Sequence, residues 1–428
     1  MQSLIKLIKK TYKMTQPRER NVVMNNVASL SLLQVITYIL PIIIVPYLFR
    51  VLGPDKFGLI AFAQAFVQYF LILTDYGFSI SATKEISLCL NDHAKVCKVF
   101  SSVMIVKVAL AFLSLLIFGI IVYFIPKFRN DWMVYILSFG AVAGSTIFPV
   151  WFFQGTEKMK YITNLNIMGG IISAFFILSF IRGPQDYLMV PLINSCAFSI
   201  TGLLGQYIVL RKFRVSFKFQ GYKNVRRQLA AGWDIFISIA AINAYTTTRV
   251  FIVGLLTNNN ITGFYSIAEK IANACQTFPL DSFSQALFPR LSKIFRENKT
   301  KALKMMRRIQ QITTIISLMC LPLVFIFSDL IVKIVCGRIY QETVLSLRLL
   351  LISVFFVTAN AFRVQFLLVC GKTHIYSRIH VIMAMVGLPL IFLLIYSFSY
   401  VGAAVATVAI EAGIFVITYF TVKKFTFS

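Results

Sequence analysis

The sequence predicts an all-α polytopic membrane protein of about 12 transmembrane helices, arranged as two six-helix lobes related by a parallel repeat, with a central cavity between them. Three observations carry this reading. Of 428 residues, 58% are hydrophobic and only 13% are charged, whereas soluble domains average about 45–50% apolar and about 25% charged. The apolar residues fall in runs long enough to cross a bilayer core of about 30 Å, which takes roughly 20 helical residues. A faint self-similarity also recurs at about half the chain length. Gly58 and Ala63 in GLIAFAQA match Gly263 and Ala268 in GFYSIAEK, each pair five apart and the two copies offset by 205 residues. An even number of spans per copy gives both copies one orientation, and such a repeat places its binding site at the interface.

Apolar length and turn signals set the spans in order. The first, 27–50, stops before Gly53-Pro54, and the second, 57–81, follows that turn. Spans 99–125 and 132–154 are parted by the polar PKFRND, and 161–181 and 187–210 complete a first lobe over residues 1–210. A basic linker, 211–231, leads to a second lobe, 232–428, with spans at 232–256, 261–289, 309–335, 343–370, 376–397 and 400–422. Pro41, Pro46, Pro149, Pro279, Pro322 and Pro389 fall inside spans, where the missing N–H kinks a helix and provides a bending point.

The formal net charge of +27 is concentrated in three patches: the N-terminal Lys6–Arg20 segment, RKFRVSFKFQGYKNVRR over Arg211–Arg227, and the run from Arg290 to Arg308. An even number of spans separates them, so they share one side. Inside segments then hold roughly 30 of the 42 lysines and arginines, which makes both termini cytoplasmic. No reader motif accompanies the basic patches, which argues against nucleic acid. The seven cysteines lack zinc or redox spacing and the three histidines form no cluster, so neither a metal site nor a cofactor is expected. Gly371-Lys372-Thr373 resembles the end of a phosphate-binding loop, but Phe366 stands where that motif requires glycine. The basic start of the chain is not apolar enough for a cleaved signal peptide, so the first helix is expected to act as a signal-anchor.

Polar residues inside the spans are the candidate site. Gln64, Gln68 and Asp75 are spaced four and seven apart, which puts them within roughly 40° on one helix face. They form either a polar seam between packed helices or a wall of a hydrated cavity, with Asp75 as its ionisable group. Lys107, Arg249, Lys270, Arg348, Arg363, Asp75, Asp234, Glu269, Asp281 and Glu411 also lie within apolar spans, where a charge costs about 2.5–3.5 kcal/mol. Lys107, Arg249, Arg348 and Asp234 lie near enough to span ends to snorkel. Lys270, Arg363 and Glu411 are deeper and read as functional. A cavity holding Lys270, Arg363, Arg249, Arg348, Gln64 and Gln68 would be of mixed charge with cations prominent, and would suit an anionic substrate such as a phosphate or an acidic sugar. No nucleotide site is present. Transport would be driven by a gradient or a partner, with Asp75, Glu411, Glu269 and Asp281 as coupling or gating carboxylates, because desolvation favours a carboxyl that can carry a proton.

PYLFRVLGPDKFGLIAFAQAFVQYFLILTDYGFSISATKEIS (Pro46–Ser87) closely resembles the first-loop and second-helix signature of Wzx-type O-antigen flippases. These form the polysaccharide transporter branch of the multidrug/oligosaccharidyl-lipid/polysaccharide exporter superfamily. TRVFIVGLL and ITGFYSIAEKI within Thr248–Ile271, QALFPRLSK (Gln285–Lys293) and, more loosely, SDLIVKIVCG (Ser328–Gly337) are similar to the same family. The resemblance spans essentially the whole chain. It implies alternating access and transfer of an undecaprenyl-diphosphate-linked oligosaccharide from the inner to the outer leaflet of the bacterial cytoplasmic membrane. A coupling proton or cation, and a polysaccharide polymerase and other assembly proteins as partners, are also implied. Carried over by motif, Asp75, Arg290 and Asp329 are the charged positions of interest, with Lys423 and Lys424 matching a basic C-terminal pattern weakly. Relatives carry an acidic–basic pair near TRVFIVG, whereas here Thr248 precedes Arg249, which puts a simple local pair in doubt. Two other readings stand beside this one. A multidrug cation antiporter would want acidic and aromatic groups in the cavity. A non-transporting scaffold for glycan assembly would not need charges deep in both lobes. No nucleophile–base constellation suggests an enzyme.

Overall fold

The computed structural model describes residues 17–276, 299–370 and 372–427. Among these residues the chain is helical apart from short connections, with no strand, and nine helices are long and apolar enough to cross a membrane. Two of the nine are double. Helix α1 (Pro17–Asp75) turns at Gly53, where φ is 73°. There Phe49 and Phe57 come to 5.2 Å between ring centroids, although a straight helix would hold them about 12 Å apart along its axis. The last helix, Thr373–Phe427, turns at Ser399 so sharply that a Cβ on Gly402 would strike the carbonyl of Leu394. These two hairpins, and a further helix over 259–276, accommodate the twelve spans read from the sequence.

After α1 come α2 (Phe78–Leu88), α3 (His93–Phe124), α4 (Pro126–Arg129), α5 (Trp132–Ile147), α6 (Val150–Gly155), α7 (Met159–Phe180) and α8 (Met189–Lys212). Then follow α9 (Tyr222–Thr246), α10 (Thr248–Leu256), α11 (259–276), α12 (Lys299–Ile326), α13 (Ser328–Cys336), α14 (Gln341–Thr358), α15 (Ala361–Val369) and α16 (Thr373–Phe427). Helices up to α8 pack chiefly on one another, and α16 packs on α9, α10, α14 and α15. The two sets meet where α1 touches α10 and α13, and where α9 reaches α2 and α3. Within the basic linker only 213–221 is non-helical. Residues from Tyr222 belong to α9, ten residues ahead of the expected span start, and Arg227 and Gln228 there bind Glu85 of α2.

Breaks in the spans follow backbone chemistry. Pro149 has no N–H to give the carbonyl of Ser145, one turn back, and α5 ends at Ile147. Lys107 fills that vacancy: its Nζ donates to Ser145 O at 3.2 Å, and the residue is 3% exposed. Snorkelling is thereby excluded for Lys107, which is held inside by an acceptor that a proline released and by the charge of Asp75 across from it. Gln310 of α12 does the same at the break between α14 and α15, donating to Thr358 O and accepting from Phe362 N, both at 3.2 Å. Replacing Lys107 with methionine is expected to cost about 1–3 kcal/mol, because a buried acceptor and a carboxylate lose their partner. Thermal unfolding in detergent should show the loss, and adding Asp75→Asn should recover part of it.

Candidate functional site

A cavity of about 440 Å³ opens between α1, α10, α11, α14 and α16. The first lobe contributes Gln64 and Gln68, one turn apart on α1, with the small Ala61 and Ala65 beside them. The second half contributes every charge: Arg249 from α10, Glu269 and Lys270 from α11, and Glu411 from α16. On α11 the lining residues Ser266, Lys270 and Asn273 are spaced four and three apart, the repeat of one helix face.

Arg249 organises the charges. Its Nη2 lies 3.2 Å from Glu269 Oε1, with the two side chains only 11% and 14% exposed, and its Nε donates to Thr246 O at 3.0 Å. The acidic partner therefore comes from the neighbouring helix rather than from position 248. Thr248 instead bonds Tyr69 across to α1, at 2.7 Å. Glu411 adds a second carboxylate whose field acts on Arg249. Lys270 is exposed in the cavity and, among the described residues, has no ion-pair partner within contact distance. Two cations face two carboxylates, so the expected predominance of cations is not found. Lys270 is instead the lining cation without an ion pair among the described residues, although the charge of Glu269 beside it reaches it.

Other expected site residues lie elsewhere. Asp75 is the last residue of α1, just before the left-handed Tyr76 and Gly77 (φ 48° and 76°) that end the helix; it does not line the cavity with Gln64 and Gln68, and its charge acts on Lys107 instead. Arg348 does not reach the cavity: it binds Asp329 at 2.6 Å and Ser328 at 2.7 Å, at the start of α13, where an acidic residue suits the helix dipole. Arg363 is also outside, its guanidinium 4.8 Å and 5.3 Å from the rings of Phe415 and Tyr419 and its Nη1 on Ala359 O. Stacking on two rings offers a cation a membrane site without a cavity. Asp281 and Arg290 lie outside the described residues. Lys423 and Lys424 are exposed in the last turns of α16.

One end of the cavity is closed. A Cβ on Gly58 would overlap the carbonyl of Asn259, and one on Gly263 would overlap that of Pro54, so α1 and α11 meet backbone to backbone. Arg50 donates to the carbonyls of Ile334 and Val335 at the end of α13. Lys127 donates to those of Leu255 and Thr257 at the end of α10, at 3.0 and 2.7 Å. Two first-lobe cations thus satisfy the orphan carbonyls of two second-lobe helices. Sequence reading missed both, since a cap formed across some 130 to 285 residues leaves no local pattern.

The fold and its interior polar cavity define a multi-pass membrane transporter architecture, and the comparisons agree. Solved structures with this fold include a lipid II flippase, MurJ, in an inward closed conformation (TM-score 0.71, 10% identity, 92% of this chain and 87% of that one). Another is an inward-facing multidrug resistance transporter of the MATE family (TM-score 0.69, 12% identity, 94% and 99%). A protein of Escherichia coli (strain K12) named "Putative O-antigen transporter" is 31% identical over 398 residues, 90% of this chain and 93% of that protein. Residues 23–295 match the family described as Polysaccharide biosynthesis protein, and the chain belongs to that family.

Proposed function

We propose that this chain is a flippase that carries an isoprenyl-diphosphate-linked oligosaccharide, an O-antigen or similar repeat unit, from the inner to the outer leaflet of the bacterial cytoplasmic membrane. The observation that carries the proposal is the charged cavity at the meeting of two helix sets, closed at one end by two helix-capping cations. Lobes 1–210 and 232–428, joined by the basic linker 211–231, rock about the cavity so that it faces each side in turn. Lys270 takes the diphosphate or an acidic sugar, and Gln64 and Gln68 take sugar hydroxyls. Arg249, Glu269 and Glu411 form the coupling group: a proton or cation arriving at either carboxylate frees Arg249 for the anion. Asp75 acts through Lys107 on the packing of α3 rather than on the substrate. Polymerase and other assembly proteins receive the product, and the chain itself makes and breaks no bond.

Glu269 and Glu411 also suit a multidrug cation antiporter, so the two readings need separating. Deleting the gene should abolish surface glycan and trap the lipid-linked repeat unit in the inner leaflet, with restoration by this chain and no change in drug tolerance. Drug sensitivity with intact glycan would favour the antiporter. The Lys/Arg asymmetry supports cytoplasmic termini in this reading, so reporters at Ser428 and in 257–260 should read opposite sides. Like signals from both would remove the orientation.

A further inference from the structure

A second cavity, of about 420 Å³, lies between α1, α9, α10 and α16, and shares α1, α10 and α16 with the first. On α1 the polar cavity takes Ala61 through Gln68, and the second takes Tyr69, Ile72 and Leu73. On α9 and α10 the polar cavity takes Thr246, Thr247, Arg249 and Val250, and the second takes Phe236, Ala240, Asn243, Ala244 and Thr248, with Leu388 of α16 beside it. The two are therefore successive levels of one cleft. In the proposed orientation the second lies toward the cytoplasmic leaflet, because α1 descends to that side at Asp75 and α9 rises from it at Tyr222.

The walls of this slot are apolar in effect. Asn243 spends its amide on its own helix, donating to Ile239 O at 2.9 Å and accepting from Thr247 at 3.2 Å. The hydroxyls of Tyr69 and Thr248, which both line the slot, bind each other at 2.7 Å, one residue along from Gln68 and Arg249 of the polar cavity. What remains is hydrocarbon: Ile72, Leu73, Ala240, Ala244, Leu388 and the ring of Phe236. No polar head group would gain from entering, and an aliphatic chain would lose nothing.

We infer that the slot between α1, α9 and α16 seats the start of the substrate's polyisoprenyl chain while its diphosphate lies in the polar cavity, with the Tyr69–Thr248 bridge at the junction. This rests on the proposed function. The polar cavity suits a ligand with a charged head, and the apolar slot next along α1 and α10, where Tyr69 and Thr248 adjoin Gln68 and Arg249, suits a long apolar tail on the same ligand. A cleft holding both lets the head cross while the tail stays in lipid. A phospholipid has two acyl chains and a smaller head, whereas an apolar slot of about 420 Å³ beside a charged cavity suits one chain with a diphosphate.

The test is photo-cross-linking in nanodiscs of phosphatidylethanolamine and phosphatidylglycerol doped with radiolabelled undecaprenyl diphosphate. A benzophenone amino acid replaces Leu388 in the slot or, as a control, Leu116 on the exposed face of α3. Labelling at position 388 is expected to saturate and to fall at least tenfold when unlabelled undecaprenyl diphosphate is added, while labelling at 116 stays non-saturable. Ala244→Phe, which fills the slot, should lower the saturable labelling tenfold in protein that still elutes as a single species. Non-saturable labelling at both positions would overturn the slot, as would capture of phospholipid at 388 unaffected by the diphosphate. Binding of geranyl diphosphate, whose chain is short, reads the polar cavity separately. If it binds and Lys270→Ala abolishes it while the slot test fails, the slot alone is wrong. If it also fails to bind, the proposed function falls with it.

Discussion

Replacing Gly58 with valine should reduce surface glycan by more than tenfold while leaving normal amounts of the protein in the membrane. The glycine is not needed for its own backbone, since positive φ among the described glycines occurs at Gly53, Gly77 and Gly337. It is needed for the space beyond it, where the Asn259 carbonyl occupies the position a Cβ would take. A backbone cannot yield as a flexible side chain does, so α1 and α11 must part. The closed end then opens, and a cleft open at both ends, or trapped open at one, no longer alternates. Ala61→Cys, made in a background without the seven native cysteines, should become reactive to an impermeant maleimide from that side only when combined with Gly58→Val. Full glycan, with the thiol introduced by Ala61→Cys still unreactive, would show that this contact is mere packing. Removing Lys127 should open the same end less, because each of its two hydrogen bonds to α10 is worth about 1.5–3 kcal/mol at most and water replaces them in part.

The second large effect is expected at Lys270. Alanine there should lower transport about 10- to 100-fold, the range set by losing a charge-assisted hydrogen bond of about 1.5–3 kcal/mol to the substrate. Arginine should keep most of the activity, since the charge remains and its fork suits a phosphate. Arg249→Ala should behave differently. It leaves Glu269 and Glu411 in the cavity wall without the cation that acts on both, and breaking a buried pair costs about 3–5 kcal/mol. Protein level should therefore fall with Arg249→Ala and recover in the double variant with Glu269→Gln, whereas transport should not recover. Equal losses of level in the Lys270 and Arg249 variants would contradict the division of roles between an unpaired substrate cation and a coupling cation held in a buried ion pair.

The spans were legible because membrane crossing leaves a long, nearly continuous apolar signal, and Gly53-Pro54 marks its own turn. The cavity residues Gln64, Gln68, Arg249, Glu269, Lys270 and Glu411 were legible for a related reason: polar groups so deep in apolar helices need a polar neighbour. The same reasoning cannot say which neighbour. Asp329 and Arg348 each stood out singly and turn out to be partners, Arg363 found aromatic rings, and Lys107 found the carbonyl that Pro149 released. Helical phase placed Asp75 with Gln64 and Gln68, but it lies two turns further along, at the very end of α1, and the polar cavity stops at Gln68. The Ser266, Lys270, Asn273 face was present in the sequence at helical spacing, but serine and asparagine carry no charge to draw attention to it. Arg50 and Lys127 were invisible because a helix cap made between lobes depends on tertiary placement alone.

Movement of a lipid-linked oligosaccharide between leaflets can be measured in proteoliposomes loaded asymmetrically with an undecaprenyl-diphosphate oligosaccharide. A membrane-impermeant glycosidase then reads how much sugar reaches the outer leaflet. Exposure should depend on the protein, disappear with Gly58→Val and fall 10- to 100-fold with Lys270→Ala, about the loss of one charge-assisted contact. Exposure at the same rate in empty liposomes, or undiminished by either substitution, would mean that this chain does not carry the substrate through the cleft.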